Sequence, residues 1–392
     1  MSAAPVSHPL PGGTLHLSIE RSELPAPELF LLAARNNPRR AFLFVSRVLA
    51  KHLPVTPSVV QDCHERIAQR IGAQPGPVLF IGMAETATGL GQGVFEAWQR
   101  QHPGVAALYL HTSRYRAVGA QALAFEESHS HAPQVFLHVP IDPLLHAQFV
   151  GARALVLVDD EISTGNTFVN LAHTCFGQAP GIEQVHMACL TDFSGPARGG
   201  FSARMGCPVT SGALLEGAWS FTPDSPSAAA GAADALPAQA ALGQEPWLQD
   251  SGWGRLGRCD AICLTPAALA PVAAGIAAGE RVLVLGTGEF MHPAFVLGRA
   301  LAAQTGACVR LQSTTRSPIL PWGPITHTEC FDDPYGEGIA NYLYNFTRSD
   351  YDHVLLCHEA PPSAALQALA QRWRARLVHF ISEDHLAQSA FC

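Results

Sequence analysis

Residues 154–167 read ALVLVDDEISTGNT, and here residue type, order and spacing add up to chemistry. Five apolar residues are followed by two acids, then by a hydroxyl-rich turn around Gly165. A short continuous apolar run suits a strand buried on both faces, predicted here over 154–158. Open α/β sheets bind ligands beyond the C-terminal ends of their strands, which puts Asp159 and Asp160 at a binding edge. Ser163, Thr164, Gly165, Asn166 and Thr167 then form a loop at the start of a helix predicted over 165–177. At such a helix start, backbone N–H groups and the Ser163, Thr164 and Thr167 hydroxyls can cradle a phosphate dianion. Gly165 allows the backbone to come close to it. Asp159 and Asp160 face whatever lies beyond the phosphate, and a sugar with vicinal hydroxyls fits. A helix N-cap alone would account for Ser163, Thr164 and the glycine, but not for two acids directly after a buried strand.

To hold this loop the chain must build a sheet. Apolar runs predict strands over 78–82, 106–111, 135–139, 154–158 and 184–190, and helical periodicity predicts helices over 43–53, 59–71, 90–101 and 165–177. Residues 112–133 carry little apolar period and read as a long loop. Alternating strands and helices imply an α/β fold with a mostly parallel sheet flanked by helices. Residues 222–247 are rich in Ala, Pro, Ser and Gln and read as a linker or disordered insertion. That divides the chain into domains at 1–221 and 248–392. A fragment ending near 221 is then expected to fold alone. The second part repeats the scheme as a smaller α/β domain, with strands over 281–285, 309–312, 353–357 and 376–381 and helices over 293–304 and 364–375.

The two parts share local wording. FIGMAE at 80–85 is followed by a helix, a strand and Thr112-Ser113-Arg114; VLGTGE at 284–289 by a helix, a strand and Thr315-Arg316-Ser317. Gly82 to Arg114 spans 32 residues and Gly286 to Arg316 spans 30. The second domain therefore reads as a copy of the first, although any strand–loop–helix–strand unit gives similar spacing. In it, Gly286, Gly288 and Glu289 make a small turn suited to an anion, and Thr315 and Arg316 follow a strand as a second anion candidate. Asp332, Asp333 and Glu337 lie near Gly336 and Gly338, as site residues or as an ordinary loop and helix cap. The two-acid phosphate motif is absent after 353–357. Pro361 and Pro362 remove N–H donors from the place where a phosphate loop would need them.

Bulk composition excludes several classes. The 392 residues are 48% hydrophobic and 14% charged, which can bury large cores and is not the composition of a disordered chain. With 24 basic and 32 acidic residues, net charge −8 and no basic block, nucleic acid is a poor partner. Ten scattered cysteines without a Cys-x-x-Cys pair read as buried thiols rather than a zinc site. The N-terminus lacks a signal-peptide pattern, and the most apolar stretch, 263–279, is interrupted by Pro266 and Pro271. A soluble, cytoplasmic protein with no membrane partner is expected.

The segment Val156–Thr167 resembles the phosphoribosyl-pyrophosphate motif of type I phosphoribosyltransferases. The resemblance implies that Asp159 and Asp160 bind the ribose hydroxyls and support an oxocarbenium-like transition state. It implies that Ser163, Thr164, Gly165, Asn166 and Thr167 hold the 5-phosphate. It further implies a pyrophosphate loop at Gly82, Met83, Ala84, Glu85 and Thr86, and a basic residue after the next strand, here Arg114 with Arg116 nearby. Mg²⁺ is the implied cofactor, meeting Asp159 and Asp160 mostly through ligand and water. The loop 112–133 would be a lid. This one has no Lys but carries Glu126 and Glu127, which Mg²⁺ would have to bridge to pyrophosphate, and His129 and His131, which read as donors, as a general acid or as plain loop surface. QSTTRSPI makes the whole chain similar to fusions of a phosphoribosyltransferase with a TRSP domain, associated with tellurium- and stress-resistance gene clusters. The implied reaction is transfer of ribose 5-phosphate to a base-like acceptor with release of pyrophosphate, as in making a nucleoside-like metabolite. A non-catalytic phosphoribosyl-pyrophosphate sensor and an enzyme cleaving a nucleotide are the rivals. Such transferases are often dimers, so the resemblance also implies a homodimer.

Overall fold

The computed structural model describes residues 5–35, 40–126, 134–224, 248–249, 252–335 and 338–389. Glu127, His129, His131, Gly336, Glu337 and residues 225–247 lie outside them, so the linker and most of the lid candidates are not described.

The larger sheet has seven strands, in the order β1 (Val6–Leu10), β2 (Gly13–Ser22), β11 (Val209–Pro223), β10 (Gln184–Asp192), β9 (Ala154–Ile162), β5 (Val78–Gly82) and β6 (Ala107–His111). The run from β11 to β6 is parallel. β1 and β2 extend it antiparallel. Two hairpins stand apart: β3 (Phe30–Ala34) with β4 (Phe42–Ser46), and β7 (Ala122–Glu126) with β8 (Gln134–His138). The helices of this half are α1 (Ala26–Leu29), α2 (Pro57–Ile71), α3 (Ala87–Gln101), α4 (Pro143–Val150), α5 (Asn166–Gln178) and α6 (Phe201–Met205).

The smaller sheet runs β13 (Cys308–Ser313), β12 (Arg281–Gly286), β16 (His353–His358), β17 (Arg376–Ser382), β18 (His385–Ser389), with only β18 antiparallel. A hairpin of β14 (Thr328–Phe331) and β15 (Asn341–Tyr344) and helices α7 (Pro266–Ala273), α8 (His292–Thr305) and α9 (Ala364–Trp373) complete it. The chain is thus α/β throughout, a mostly parallel sheet followed by a second, smaller α/β unit.

Local sequence explains most elements. All five apolar residues opening β9 are buried, as a central parallel strand requires. α2 has Pro57 in its first turn and stops at Gly72, and it buries Val60, Cys63, His64, Ile67, Ala68 and Ile71 at helical spacing. Two expectations fail. Residues 43–53 are not a helix: Phe42–Ser46 is a strand, tied to β3 by ladder pairing and by an edge-on contact of Phe30 with Phe44 at 4.7 Å. Residues 112–133 are not all loop either, because Ala122–Glu126 pairs with β8 in register from Ala122–His138.

The two halves share apolar cores. β11 runs past residue 221 to Pro223, paired with β2 from Leu215 to its end. One apolar core joins Ala50, Val55 and Val60 to Val284, Phe295 and Leu311, and another joins Ala33 and Val45 to Ile319, Ile325 and Tyr344. α3 lies against α8 so closely that a Cβ on Gly89 would stand 2.9 Å from Met291 Cβ. A fragment ending near 221 would uncover these faces, contrary to the expectation that it folds alone.

Candidate functional site

β9, β5 and β6 are neighbours, and their C-terminal ends bring three segments together. Gly82 pairs with Val158 on one side and with His111 on the other. Asp159 and Asp160, the 82–86 loop and the turn entering Arg114 therefore emerge side by side. β9 is longer than the apolar run predicts, because its ladder with β10 continues to the pair Ile162–Asp192. Both acids thus lie on extended, partly exposed backbone.

After β9 the chain turns at Gly165, whose φ of +70° begins α5. A Cβ there would lie 2.2 Å from Phe201 Cε1, so both backbone angle and space demand glycine. Ser163, Asn166 and Thr167 are partly exposed and Thr164 is open to solvent. Arg204 braces the turn from outside, donating to the Thr164 carbonyl at 3.1 Å and to Asn166 Oδ1 at 2.6 Å. The Asp160 carboxyl is pushed above the ordinary aspartate range by desolvation, with Glu161 adding to it and the Asp159 hydrogen bond and Arg40 opposing. Glu161 has its own cation: Arg40 Nη2 donates at 2.6 Å to both carboxylate oxygens. The same guanidinium lies over Phe42 and Trp219, 5.1 and 5.3 Å from the ring centres.

In the second segment, Gly82, Met83 and Ala84 are buried and Glu85 and Thr86 partly so; the Ala84–Glu85 peptide is cis. Met83 N–H donates to Val158 O at 3.0 Å and Ala84 N–H to Thr112 Oγ1 at 2.8 Å. Those two donors are used within the protein and are not open to an anion. Glu85 itself is bound to Lys51, Nζ to Oε1 2.5 Å. Burial would raise the Glu85 pKa, but Lys51, then Arg316 and Arg114, outweigh it and hold it at about 2. Lys51 also donates to the carbonyls of Gly288 at 3.1 Å and Thr314 at 3.0 Å. It is 1% exposed and is the sole lysine of the chain. Sequence reasoning missed it, although a single lysine among 392 residues was a readable signal.

Arg114 is partly exposed, and its backbone N–H donates to Glu289 Oε1 at 2.6 Å. Arg116 lies over the Phe136 ring, 4.9 Å from its centre, so it packs on the β8 hairpin. From the second half, Arg316 bonds the Tyr115 hydroxyl and lies 4.7 Å over that ring, with Asp333 at 3.8 Å. Arg316 therefore belongs to the surroundings of the first half's turn, not to a separate site.

The two halves match bond for bond. Ala84 N–H donates to Thr112 Oγ1, and Gly288 N–H to Thr314 Oγ1, both at 2.8 Å. Thr112 N–H donates to Gly82 O at 2.9 Å, and Thr314 N–H to Gly286 O at 3.0 Å. Ser113 exchanges backbone bonds with Phe136, and Thr315 with Tyr342. The correspondence pairs Glu85 with Glu289 and Arg114 with Arg316. The halves also trade edges: Val55 of the first bonds Leu311 of the second, and Arg258 of the second bonds Tyr109 of the first. Gly286 pairs with Cys357 as Gly82 pairs with Val158, so His358 and Glu359 stand where Asp159 and Asp160 stand. Glu359 is not open to a sugar, since it is buried and bound to Arg255 at 3.0 and 3.1 Å.

Comparison with family models assigns both halves. Residues 29–218 match the family described as phosphoribosyl transferase, and residues 259–373 match the TRSP domain found C-terminal to that transferase family. The chain belongs to the phosphoribosyltransferases that carry a C-terminal TRSP domain. Among solved structures it is similar to adenine phosphoribosyltransferase from Rhodothermus marinus, at 16% identity over 49% of this chain and 96% of that one, TM-score 0.31. The Trypanosoma brucei adenine enzyme gives 11% identity over 50% and 82%, TM-score 0.35. The Mycobacterium tuberculosis orotate phosphoribosyltransferase gives 12% over 48% and 93%, TM-score 0.28. Family membership rests on the two family matches rather than on these likenesses. A search of curated proteins finds no match. Among the described residues, no helix is long and apolar enough to cross a membrane.

Proposed function

We propose that the chain binds phosphoribosyl pyrophosphate with Mg²⁺ and transfers ribose 5-phosphate to a nitrogen of a base-like acceptor, releasing pyrophosphate. One observation carries this reading: two acids at the end of a buried parallel strand, followed by a left-handed glycine turn into a helix, beside a second anion loop on the adjacent strand. In the reaction the bond from ribose C1 to pyrophosphate oxygen breaks and a bond from C1 to the acceptor nitrogen forms. Ser163–Thr167 hold the 5-phosphate at the start of α5. Asp159 and Asp160 take the ribose hydroxyls and offset the positive charge that develops on the sugar. Arg114 takes the pyrophosphate, beside the backbone of Glu85 and Thr86 while the Glu85 carboxylate stays with Lys51.

The donor set fits a metal that arrives with the substrate. Among the described residues no three His, Cys, Asp or Glu converge to hold an ion, while Asp159 and Asp160 are partly exposed and can meet one held by ligand oxygens. Mg²⁺ would supply charge neutralisation on the pyrophosphate as it leaves. A homodimer and a link to tellurium or stress resistance remain part of this proposal and follow from the resemblance alone; a cytoplasmic location is part of it on the sequence pattern.

The test is calorimetric titration of phosphoribosyl pyrophosphate, with and without Mg²⁺, into wild type and into Thr164→Ala with Asp160→Asn, followed by pyrophosphate release on adding bases. Mg²⁺-dependent binding lost in the double variant, and release with some base, supports the transferase. Binding with no release from any base points to a sensor instead. Absence of binding to wild type overturns the proposal.

A further inference from the structure

Glu289 belongs to the second half, yet it serves the first. Its Oε1 accepts the Arg114 backbone N–H at 2.6 Å and its Oε2 accepts the Ser113 hydroxyl at 2.7 Å. Arg255 closes the arrangement, with Nη2 3.2 Å from Glu289 Oε2 and Nε 3.0 Å from Ser113 Oγ. Both side chains are 2% exposed. Burial would raise the Glu289 pKa, but Arg255, His111, the Arg114 N–H and the Ser113 hydroxyl together hold it below the ordinary range. The group is therefore a buried carboxylate aimed at one backbone turn.

Stability alone explains this poorly. A buried ion pair gains little over well-packed apolar residues, because desolvation offsets the attraction. What these bonds do fix is the orientation of the Ser113–Arg114 backbone, hence the direction in which the Arg114 side chain departs. The matching lead-in segment of the first half holds a second cationic brace, in which Lys51 ties Glu85 to the Gly288 and Thr314 carbonyls of the second half. Each half thus sends a buried cation to the junction of the two anion loops.

We propose that Glu289 is a positioning residue for the pyrophosphate side of the site: a carboxylate supplied by the TRSP half that fixes the Ser113–Arg114 turn and aims Arg114. The proposal rests on the transferase reading only in naming pyrophosphate as the anion.

The full chain is titrated calorimetrically with two separate probes, Mg²⁺-pyrophosphate and ribose 5-phosphate, in wild type and in Glu289→Gln. The amide keeps the shape of the side chain but has one acceptor oxygen fewer and no charge for Arg255. The expected result is pyrophosphate affinity about tenfold weaker, the scale of one lost charge-assisted bond, with ribose 5-phosphate affinity unchanged. A merely structural role would weaken both probes together, and that outcome overturns the proposal. So does unchanged pyrophosphate affinity in a variant that binds ribose 5-phosphate normally, and in that case the transferase reading stands. If wild type binds neither probe, both readings fall. Should Glu289→Gln not fold, Ser113→Ala removes the same hydroxyl from the first half's side, and the same selective loss is required of it.

Discussion

Replacing Lys51 by Met tests the buried centre of the molecule most directly. The substitution keeps the length and apolar stem of the side chain and removes the ammonium. It leaves Glu85 ionised without its nearest cation, and takes one donor from the Gly288 and Thr314 carbonyls, which keep the Ser313 hydroxyl. Breaking a buried pair on one side costs about 3–5 kcal/mol, because a buried charge is left uncompensated. The pH dependence gives an independent figure. Glu85 sits at about 2 instead of 4.5, and such a difference is worth roughly 3 kcal/mol by linkage. A depressed carboxyl contributes this stability above its unfolded value near 4.5 and loses it as pH falls toward 2. In Lys51→Met the sign reverses: burial then dominates, the carboxyl rises above 4.5, and the variant is relieved on acidification. The assay is urea unfolding followed by tryptophan fluorescence, near pH 7 and near pH 3, with Glu85→Gln as the reference that lacks the titrating group. Lys51→Met with Glu85→Gln should recover most of the loss at pH 7, since it removes both partners. A loss below about 1 kcal/mol in Lys51→Met, or an unchanged acid dependence relative to Glu85→Gln, refutes the reasoning.

Acylation of amines in the native chain should spare Lys51, which is 1% exposed, and reach it only on unfolding; peptide mapping reads this at one site because no other lysine exists. Gly165→Ala should weaken ribose 5-phosphate binding at least tenfold and cost about 1–3 kcal/mol, since it forces a Cβ into positive φ and onto Phe201; equal affinity would show that the turn is not the phosphate site. A fragment ending at Asp224 should aggregate and bind apolar dyes, because Ala50, Val55 and Val60 lose their cover from the second half. A monomeric, cooperatively folded fragment would contradict the shared core.

Much of this was legible in the sequence, and for a local reason. A buried strand, two acids, hydroxyls and a glycine are adjacent in the chain, so their geometry follows from backbone rules that act over a few residues. The strand that carries Asp159 and Asp160, and the turn at Gly165 into a helix, follow the sequence pattern. The repeat of FIGMAE by VLGTGE was legible too, as far as Arg114 and Arg316, and the structure adds matched hydrogen bonds at Thr112 and Thr314. Strands that owe their form to a distant partner were not legible. Residues 43–53 have enough apolar content to read as a helix, and only pairing with β3 makes Phe42–Ser46 a strand. The boundary at 221 followed from composition after that point, but β11 is held to Pro223 by β2, some two hundred residues earlier in the chain. Lys51, Arg255 and Glu289 meet their partners only because two α/β units fold against one another. Their charges are tolerated in a dry interface solely because each finds a counter-charge from elsewhere in the chain. The sequence by itself determined which acids and hydroxyls stand together between the buried strand and the helix at 159–167. The tertiary structure decided that the second half supplies the carboxylate holding the Ser113–Arg114 turn.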